Sequence, residues 1–392
     1  MLYDVAVIGA GPVGSRVAFR LAGLGYHVVV VDKKAGFDGP VCCTGIIGQE
    51  CADSLSLDNK VIYRQANSAR LFSPSGKEVR VWRPEPQATI LDRPAFNAAM
   101  AARAQKQGAE IRLHTPVSNV AIGESSVSLE LSGGEKIESR AVVVAAGFAA
   151  KITGIPDSGK GRDFIMGAQA EVETSGVDEV DVYFGDAVAP GFFAWSAPTS
   201  PKKALVGLLS RRKPVYYLKK LLGRLQSEGR IVSADVAMTH GGIPLQPSAR
   251  TFARRMLVVG TAAGQVKPTT GGGIYYGLLC ADIAARHLAR GLESGDLSAA
   301  GLAGYQRDWR ELLGKELRTG YWARKLYEHL NDRQLDHIFD IITSTGIDKA
   351  ILEADDFSFD WHSKVVMKLL GDKAFPRALM VMKIPFLREK RI

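Results

Sequence analysis

Cysteine is scarce in this chain and follows no pattern. Its four thiols, Cys42, Cys43, Cys51 and Cys280, show neither C-x-x-C nor zinc-site spacing. No disulfide framework is expected, nor an iron–sulfur domain, and a reducing cytosol is the expected compartment. The seven histidines show no metal-ligand spacing, and no Ser–His–Asp arrangement can be read. Long apolar runs are also missing, since nothing approaches the about twenty uninterrupted apolar residues that span a bilayer. No basic leader precedes the apolar run at Tyr3, so no secretory signal is expected. Repeats and low-complexity tracts are absent. A chain of 392 residues with ordinary composition is long enough for a large core and two or three domains or subdomains.

What the chain does have is glycine in two dense clusters. The first follows a short apolar strand, Tyr3 to Ile8, as Gly9-Ala-Gly-Pro-Val-Gly14. Ser15 to Leu24 then reads as a helix, and Tyr26 to Val31 as a second strand ending in Asp32. Strand, glycine turn, helix, strand and acid in this order make the dinucleotide fingerprint. Gly9 permits the turn, Gly11 lets the main chain approach a pyrophosphate, and Gly14 allows close packing. Asp32 is the expected ribose acceptor. The second cluster lies in Met256 to Ile274, where an apolar run ends at Gly260. Gly264, Pro268 and Gly271 to Gly273 follow, before a helical stretch. Glycines at that density open a helix N-terminus to negative charge. Two such turns suggest one long cofactor held at both ends.

Between them, Ser68 to Trp82 reads as a hairpin turning at Pro74-Ser75-Gly76, and a helix opens near Leu91 to Asn97 with Asp92 as its expected cap. Ala109 to Leu113, Val117 to Ile122, Val127 to Leu131 and Ala141 to Gly147 are expected strands. Alternating runs such as Val180 to Phe184 and Ala204 to Ser210 point to a mixed sheet over residues 165–250. Beyond residue 276 the pattern is helical to the end.

The net charge is +9. Residues 362–392 hold eight Lys or Arg against Asp372 and Glu389, a net +6 among apolar residues spaced for an amphipathic helix. Such a tail fits peripheral contact with an anionic membrane, and equally a helix packed on its own domain. No basic–aromatic alternation accompanies the charge, so nucleic acid is not an expected partner.

Together these pieces resemble the geranylgeranyl reductase family, among flavoproteins related to aromatic hydroxylases. The resemblance covers about residues 1–330. It rests on the N-terminal fingerprint, on Pro40-Val-Cys-Cys-Thr-Gly-Ile-Ile47, and on Pro190-Gly-Phe-Phe-Ala-Trp-Ser-Ala-Pro198, similar to the family's P-x-x-Y-x-W-x-F-P. Its last element is the Gly260 segment with its P-x-x-G-G-G-I continuation. Two departures stand out. Thr261 replaces the acid that usually contacts the ribityl chain, and a neutral hydrogen bond is about half as strong as a charge-assisted one. Phe193 and Ala197 stand where Tyr and Phe are usual.

The resemblance implies an α/β fold with a Rossmann-like FAD-binding domain at 1–60, 91–165 and 250–300. It further implies a mixed-sheet, α+β substrate domain at 61–90 and 166–249, and a helical region at 301–392. FAD is the implied cofactor. Its implied contacts are Gly9, Gly11, Gly14, Asp32, Lys33, Cys43, Thr44, Gly45, Arg93, Val120, Ala146, Gly147, Gly260, Thr261, Gly271, Gly272, Gly273 and Ile274. The implied reaction saturates double bonds of a geranylgeranyl or other polyprenyl chain on a lipid or diphosphate, with ferredoxin or NAD(P)H as electron donor. An isolated double bond needs hydride and proton almost together, and Cys43 is the candidate proton donor, with Cys42 adjacent to it. Phe192, Phe193, Trp195 and Pro198 are the candidate prenyl pocket. Lys267 reads as a phosphate ligand or a plain surface charge. A flavin monooxygenase or halogenase, and a non-catalytic isoprenoid-binding protein, are the alternatives on the same fold.

Overall fold

The computed structural model describes residues 2–39, 41–148, 152, 163–346, 358–364 and 366–367. Its described helices are α1 (Pro12–Ala22), α2 (Gln49–Leu55), α3 (Arg93–Lys106), α4 (Pro214–Ser227), α5 (Ile274–Ser294), α6 (Ala299–Glu328) and α7 (Asp332–Thr345). The chain divides into two compact units. Met1–Pro40, Pro94–Phe164 and Ile243–Leu317 form the first; Val41–Arg93, Ile165–Gly242 and Arg318–Ile392 form the second.

The first unit is built on an eight-stranded sheet. Its parallel centre sets Met256–Val258, Lys136–Val144, Leu2–Ile8, Val28–Val31 and Glu110–Arg112 side by side. The hairpin of Val117–Ile122 and Val127–Leu131 pairs onto Lys136–Val144, which explains why that strand begins earlier than its apolar run. Val28 to Val31 are all buried. A parallel sheet covered on both faces demands apolar side chains at consecutive positions, and this is why the run reads as continuous valine.

Helices α1 and α5 lie against each other and run the same way. Val13 packs where a Cβ on Gly277 would stand 2.5 Å away and one on Gly260 3.1 Å away. Farther along, Arg16 and Arg20 both donate to the Asp282 carboxylate, and beyond that the Tyr26 hydroxyl donates to the Ala289 carbonyl. Burial pushes the Asp282 carboxyl up, but the bonds from the two arginines outweigh it and hold the group below its ordinary range.

The second unit carries a seven-stranded sheet in the order Met238–Pro244, Phe164–Glu173, Lys203–Ser210, Phe193–Ser200, Val180–Phe184, Ser68–Phe72, Glu78–Trp82. Val180–Phe184 pairs parallel with Ser68–Phe72 and antiparallel with Phe193–Ser200, so the sheet is mixed. The Ser68 to Trp82 hairpin forms as its Pro-Ser-Gly turn requires. A three-stranded antiparallel sheet joins Ile46–Gly48, Ala88–Leu91 and Ile62–Ala66. Residues 41–60, grouped by sequence with the nucleotide half, pack here, because Ile46–Gly48 pairs with Ala88–Leu91. Leu218, Leu221, Leu222 and Leu225 of α4 cover the large sheet in one apolar cluster. No helix among the described residues is long and apolar enough to cross a membrane. Most of the basic tail at 362–392 lies outside the described residues.

Candidate active site

In the first unit, the strand Leu2–Ile8 ends at Gly9, where φ of +108° turns the chain. A Cβ there would stand 2.5 Å from the Ala145 carbonyl oxygen, and one on Gly14 would stand 1.9 Å from the Gly9 carbonyl oxygen. Both positions admit only glycine. Gly11 is the opposite case: nothing lies within 4 Å of where its Cβ would be. It is the N-cap of α1, with no side-chain cap, Pro12 opening the helix and no acid in the first turn. The first-turn N–H groups have no partner within the helix, and the positive end of its dipole lies there. The arrangement fits a pyrophosphate.

Asp32 Oδ2 accepts from the Ala10 N–H at 2.7 Å and Oδ1 from the Lys34 N–H at 2.9 Å. The carboxylate thereby ties the glycine turn to the second strand, and each oxygen keeps acceptor capacity for a ribose hydroxyl. Lys33 is exposed beside it. Ala146 and Gly147 follow the strand end that abuts Gly9, Gly147 with φ of +76°. The Val120 side chain is buried in the apolar cluster of the sheet, so any contact with a cofactor falls to its main chain.

The second glycine turn belongs to the same unit. Gly260 (φ +71°) opens the 3-10 turn Gly260–Ala263, and Gly264 (φ +74°) closes it. A buried relay organises this turn. The Gly260 N–H donates to Gln265 Oε1 at 2.7 Å, Gln265 Nε2 to the Tyr305 hydroxyl at 2.9 Å, and that hydroxyl to the Val258 carbonyl at 2.9 Å. Gln265 and Tyr305 are wholly buried, so each bond removed would leave an unsatisfied polar group. Sequence reasoning missed both; the available signal was a lone amide in a run of small residues.

Lys267 and Gly272 close a further loop, with the Lys267 N–H donating to the Gly272 carbonyl and the Gly271 N–H to the Lys267 carbonyl. Lys267 is only 5% exposed and lies over the Tyr276 ring, so it is no surface charge. Gly273 caps α5 without a side-chain bond, Ile274 begins the helix, and no acid stands in its first turn. The Thr261 hydroxyl is 3.5 Å from where a Cβ on Gly273 would be. The α1 and α5 N-termini therefore open at the same end of two parallel helices. That suits a long cofactor with an anionic diphosphate and a ring that gains negative charge on reduction.

The cysteine segment is held within the second unit. The Arg93 guanidinium donates from Nη1 to Cys43 Sγ at 3.3 Å. Gly45 (φ +75°) sits against Arg93 and the Leu91 carbonyl, where a Cβ would approach to 2.9 and 2.8 Å. Thr44 donates to Gln169 Oε1 at 2.7 Å, and Gln169 Nε2 donates to the Val41 carbonyl at 3.3 Å. Gln169, a third residue missed by sequence reasoning, thus clamps the segment from the large sheet. Cys42 packs toward Gly241, and burial pushes its thiol up, with a hydrogen bond to Thr239 opposing the shift. Cys42 and Cys43 therefore occupy different environments.

On the strand Phe193–Ser200, Phe193 and Trp195 share a face, with ring centroids 6.1 Å apart. Gly207 on the next strand makes room for the indole: a Cβ would stand 2.6 Å from Trp195 Cζ2. Trp195 Nε1 is enclosed and bonds to no acceptor among the described residues. Pro198 is buried farther along the strand. Phe192 does not join this face. It precedes the strand, is wholly buried, and lies under the Arg324 guanidinium at 3.9 Å, with its carbonyl accepting from the Tyr327 hydroxyl. Burial lowers the Arg324 pKa to about 10, against the attraction of Glu328.

The family model for lycopene cyclase protein matches residues 4–338. A digeranylgeranylglycerophospholipid reductase of Methanothrix thermoacetophila is 31% identical over 369 residues, covering 89% of this chain and 93% of that protein. The reductase of the same name from Methanocaldococcus jannaschii is 31% identical over 367 residues, covering 88% and 93%. Among solved structures, a geranylgeranyl bacteriochlorophyll reductase-like protein of Thermoplasma acidophilum superposes with a TM-score of 0.83 at 22% identity, covering 97% of this chain and 98% of that one. A halogenase, PltM, in complex with FAD shares the fold at a TM-score of 0.68 and 13% identity, covering 100% and 93%. The chain belongs to the geranylgeranyl reductase family of flavoproteins, within the reach of the broader lycopene cyclase model.

Proposed function

We infer that this protein is an FAD-dependent reductase that saturates double bonds of geranylgeranyl chains carried on a glycerophospholipid. The observation that carries the reading is the match to reductases of that name over 89% of the chain, joined to two uncapped helix N-termini framed by glycine. Gly11 and α1 hold the diphosphate, Asp32 the ribose, and Gly271 to Gly273 with α5 the pyrimidine side of the flavin. When bound, FAD in its reduced form supplies hydride to the double bond.

A prenyl double bond has no electron-withdrawing neighbour, so the protein must deliver a proton to the second carbon as hydride arrives. Cys43 is the donor in our reading. Arg93 donates into its sulfur, which leaves the S–H proton to point elsewhere, and the guanidinium stabilises the thiolate left after transfer. Solvent then returns the proton. Phe193 and Trp195 offer an apolar face for the chain. Reducing equivalents come from ferredoxin or NAD(P)H, and the basic tail at 362–392 adds peripheral contact with the membrane that holds the substrate.

The test is anaerobic. Protein reduced with dithionite and mixed with a geranylgeranyl phospholipid recovers its oxidised flavin bands without oxygen. Cys43→Ala keeps its flavin and loses about 100-fold in that rate, the lower range for a general acid, whereas Cys42→Ala stays near the parent. Reoxidation that requires oxygen would favour a monooxygenase or halogenase and end this reading.

A further inference from the structure

Helix α4 has one face committed to the core and one left bare. Leu218, Leu221, Leu222 and Leu225 enter the apolar cluster. Tyr216, Lys220, Gly223 and Ser227 recur at helical spacing on the opposite side, and all are exposed. Lys219 and Val215 flank that stripe, with Tyr216 58% and Val215 38% exposed. From Arg211 to Ser227 the chain has six basic residues and no acid. Arg211 is paired with Glu328 and Arg224 with Glu228. Arg212, Lys213, Lys219 and Lys220 form no ion pair among the described residues. A basic face set with tyrosine has the composition that sits at the headgroup level of an anionic bilayer.

The segment that leads into this helix is tied to the chain just before the aromatic strand. The Arg211 N–H donates to the Pro190 carbonyl at 2.9 Å, and the Ser210 hydroxyl reaches that carbonyl at 3.3 Å. The Arg211 side chain lies against Gly191, where a Cβ would be 2.8 Å from its Cγ. The lead-in to α4 is therefore bolted to Pro190–Gly191, immediately before Phe192 and Phe193.

We propose that the outer face of α4 and its lead-in, with Arg212 and Lys213 before the helix and Tyr216, Lys219 and Lys220 on it, docks on an anionic phospholipid surface and brings the strand that bears Phe193 and Trp195 to the lipid. The delivery of substrate rests on the lipid-reductase reading; the docking does not. The occupant follows from charge complementarity and from continuity with the strand that bears Phe193 and Trp195.

The experiment uses the full chain and vesicles of phosphatidylcholine with or without phosphatidylglycerol, without substrate. Each basic residue near an anionic surface contributes about fivefold to partition. Lys219→Gln with Lys220→Gln therefore lowers cosedimentation with phosphatidylglycerol vesicles roughly twenty-five-fold. Both lysines are exposed, so flavin content, thermal unfolding and turnover of detergent-dispersed substrate stay at the parent level. Hydrogen exchange over 213–220 slows when anionic vesicles are added to the parent. Unchanged partition of the double variant, or parent binding indifferent to phosphatidylglycerol, overturns the proposal. So does a variant that slows only reduction by a protein electron donor, since the face would then serve that donor.

Discussion

Gly11→Ala and Gly14→Ala separate cofactor binding from folding within one six-residue turn. At Gly14 a Cβ would stand 1.9 Å from the Gly9 carbonyl oxygen, so main chain must move before any ligand arrives. Overpacking of this kind costs about 1–3 kcal/mol. At Gly11 the added methyl enters open space and φ is −67°, which alanine adopts without strain. Its cost to the apoprotein is the poorer N-cap alone, about 0.5–1 kcal/mol. If the diphosphate approaches the main chain through that open space, as proposed, the methyl costs about 1–3 kcal/mol of affinity, or about 5- to 150-fold in Kd. Urea unfolding of both apoproteins and a flavin-fluorescence titration measure the two quantities separately. The holoprotein melt gives a third check, because ligand stabilisation falls with affinity. Gly11→Ala binding FAD like the parent would refute the diphosphate assignment. A Gly14→Ala apoprotein as stable as the parent would refute the packing argument.

Asp360 is 1% exposed and accepts from the Gly48 and Cys51 N–H groups at the start of α2; Asp360→Ala strands both donors and lowers stability by about 2–4 kcal/mol in urea unfolding. The Asp282 carboxyl titrates below its ordinary value of about 3.9, so its contribution is present above that pH and is lost as pH falls through the depressed folded value. Asp282→Asn therefore costs about 1 kcal/mol or less at neutral pH, and the gap between variant and parent closes in acid melts below about pH 4; a gap that persists there would contradict the ion-pair account. Gly207→Ala drives a methyl into the Trp195 indole. It should shift tryptophan emission and raise KM for the prenyl lipid with flavin content unchanged.

The glycine turns were legible because glycine at positive φ marks the main chain itself, and Gly9, Gly260 and Gly271 carry that mark. The mixed sheet and the Ser68 to Trp82 hairpin were legible because alternation and turn chemistry are local. The polar clamps were not. Gln169 meets Thr44 across 125 positions and Asp360 meets Gly48 across 312, and no periodicity encodes such a distance. Of the two readings of Lys267, phosphate ligand or surface charge, the second fails because its loop folds back on itself through Gly271 and Gly272 and buries it. Phe192 was grouped with Phe193 by chemistry, although period-two spacing sets only Phe193 and Trp195 on one face. The cysteine pair could not be divided by sequence; Arg93 on one sulfur and Gly241 beside the other divide it.

The most direct test of the central claim is the mass of a geranylgeranyl glycerophospholipid after anaerobic incubation with the dithionite-reduced protein. Saturation predicts a gain of two hydrogens for each bond reduced, with the flavin reoxidised in step. An unchanged mass, or a product that gains oxygen when air is admitted, would contradict it.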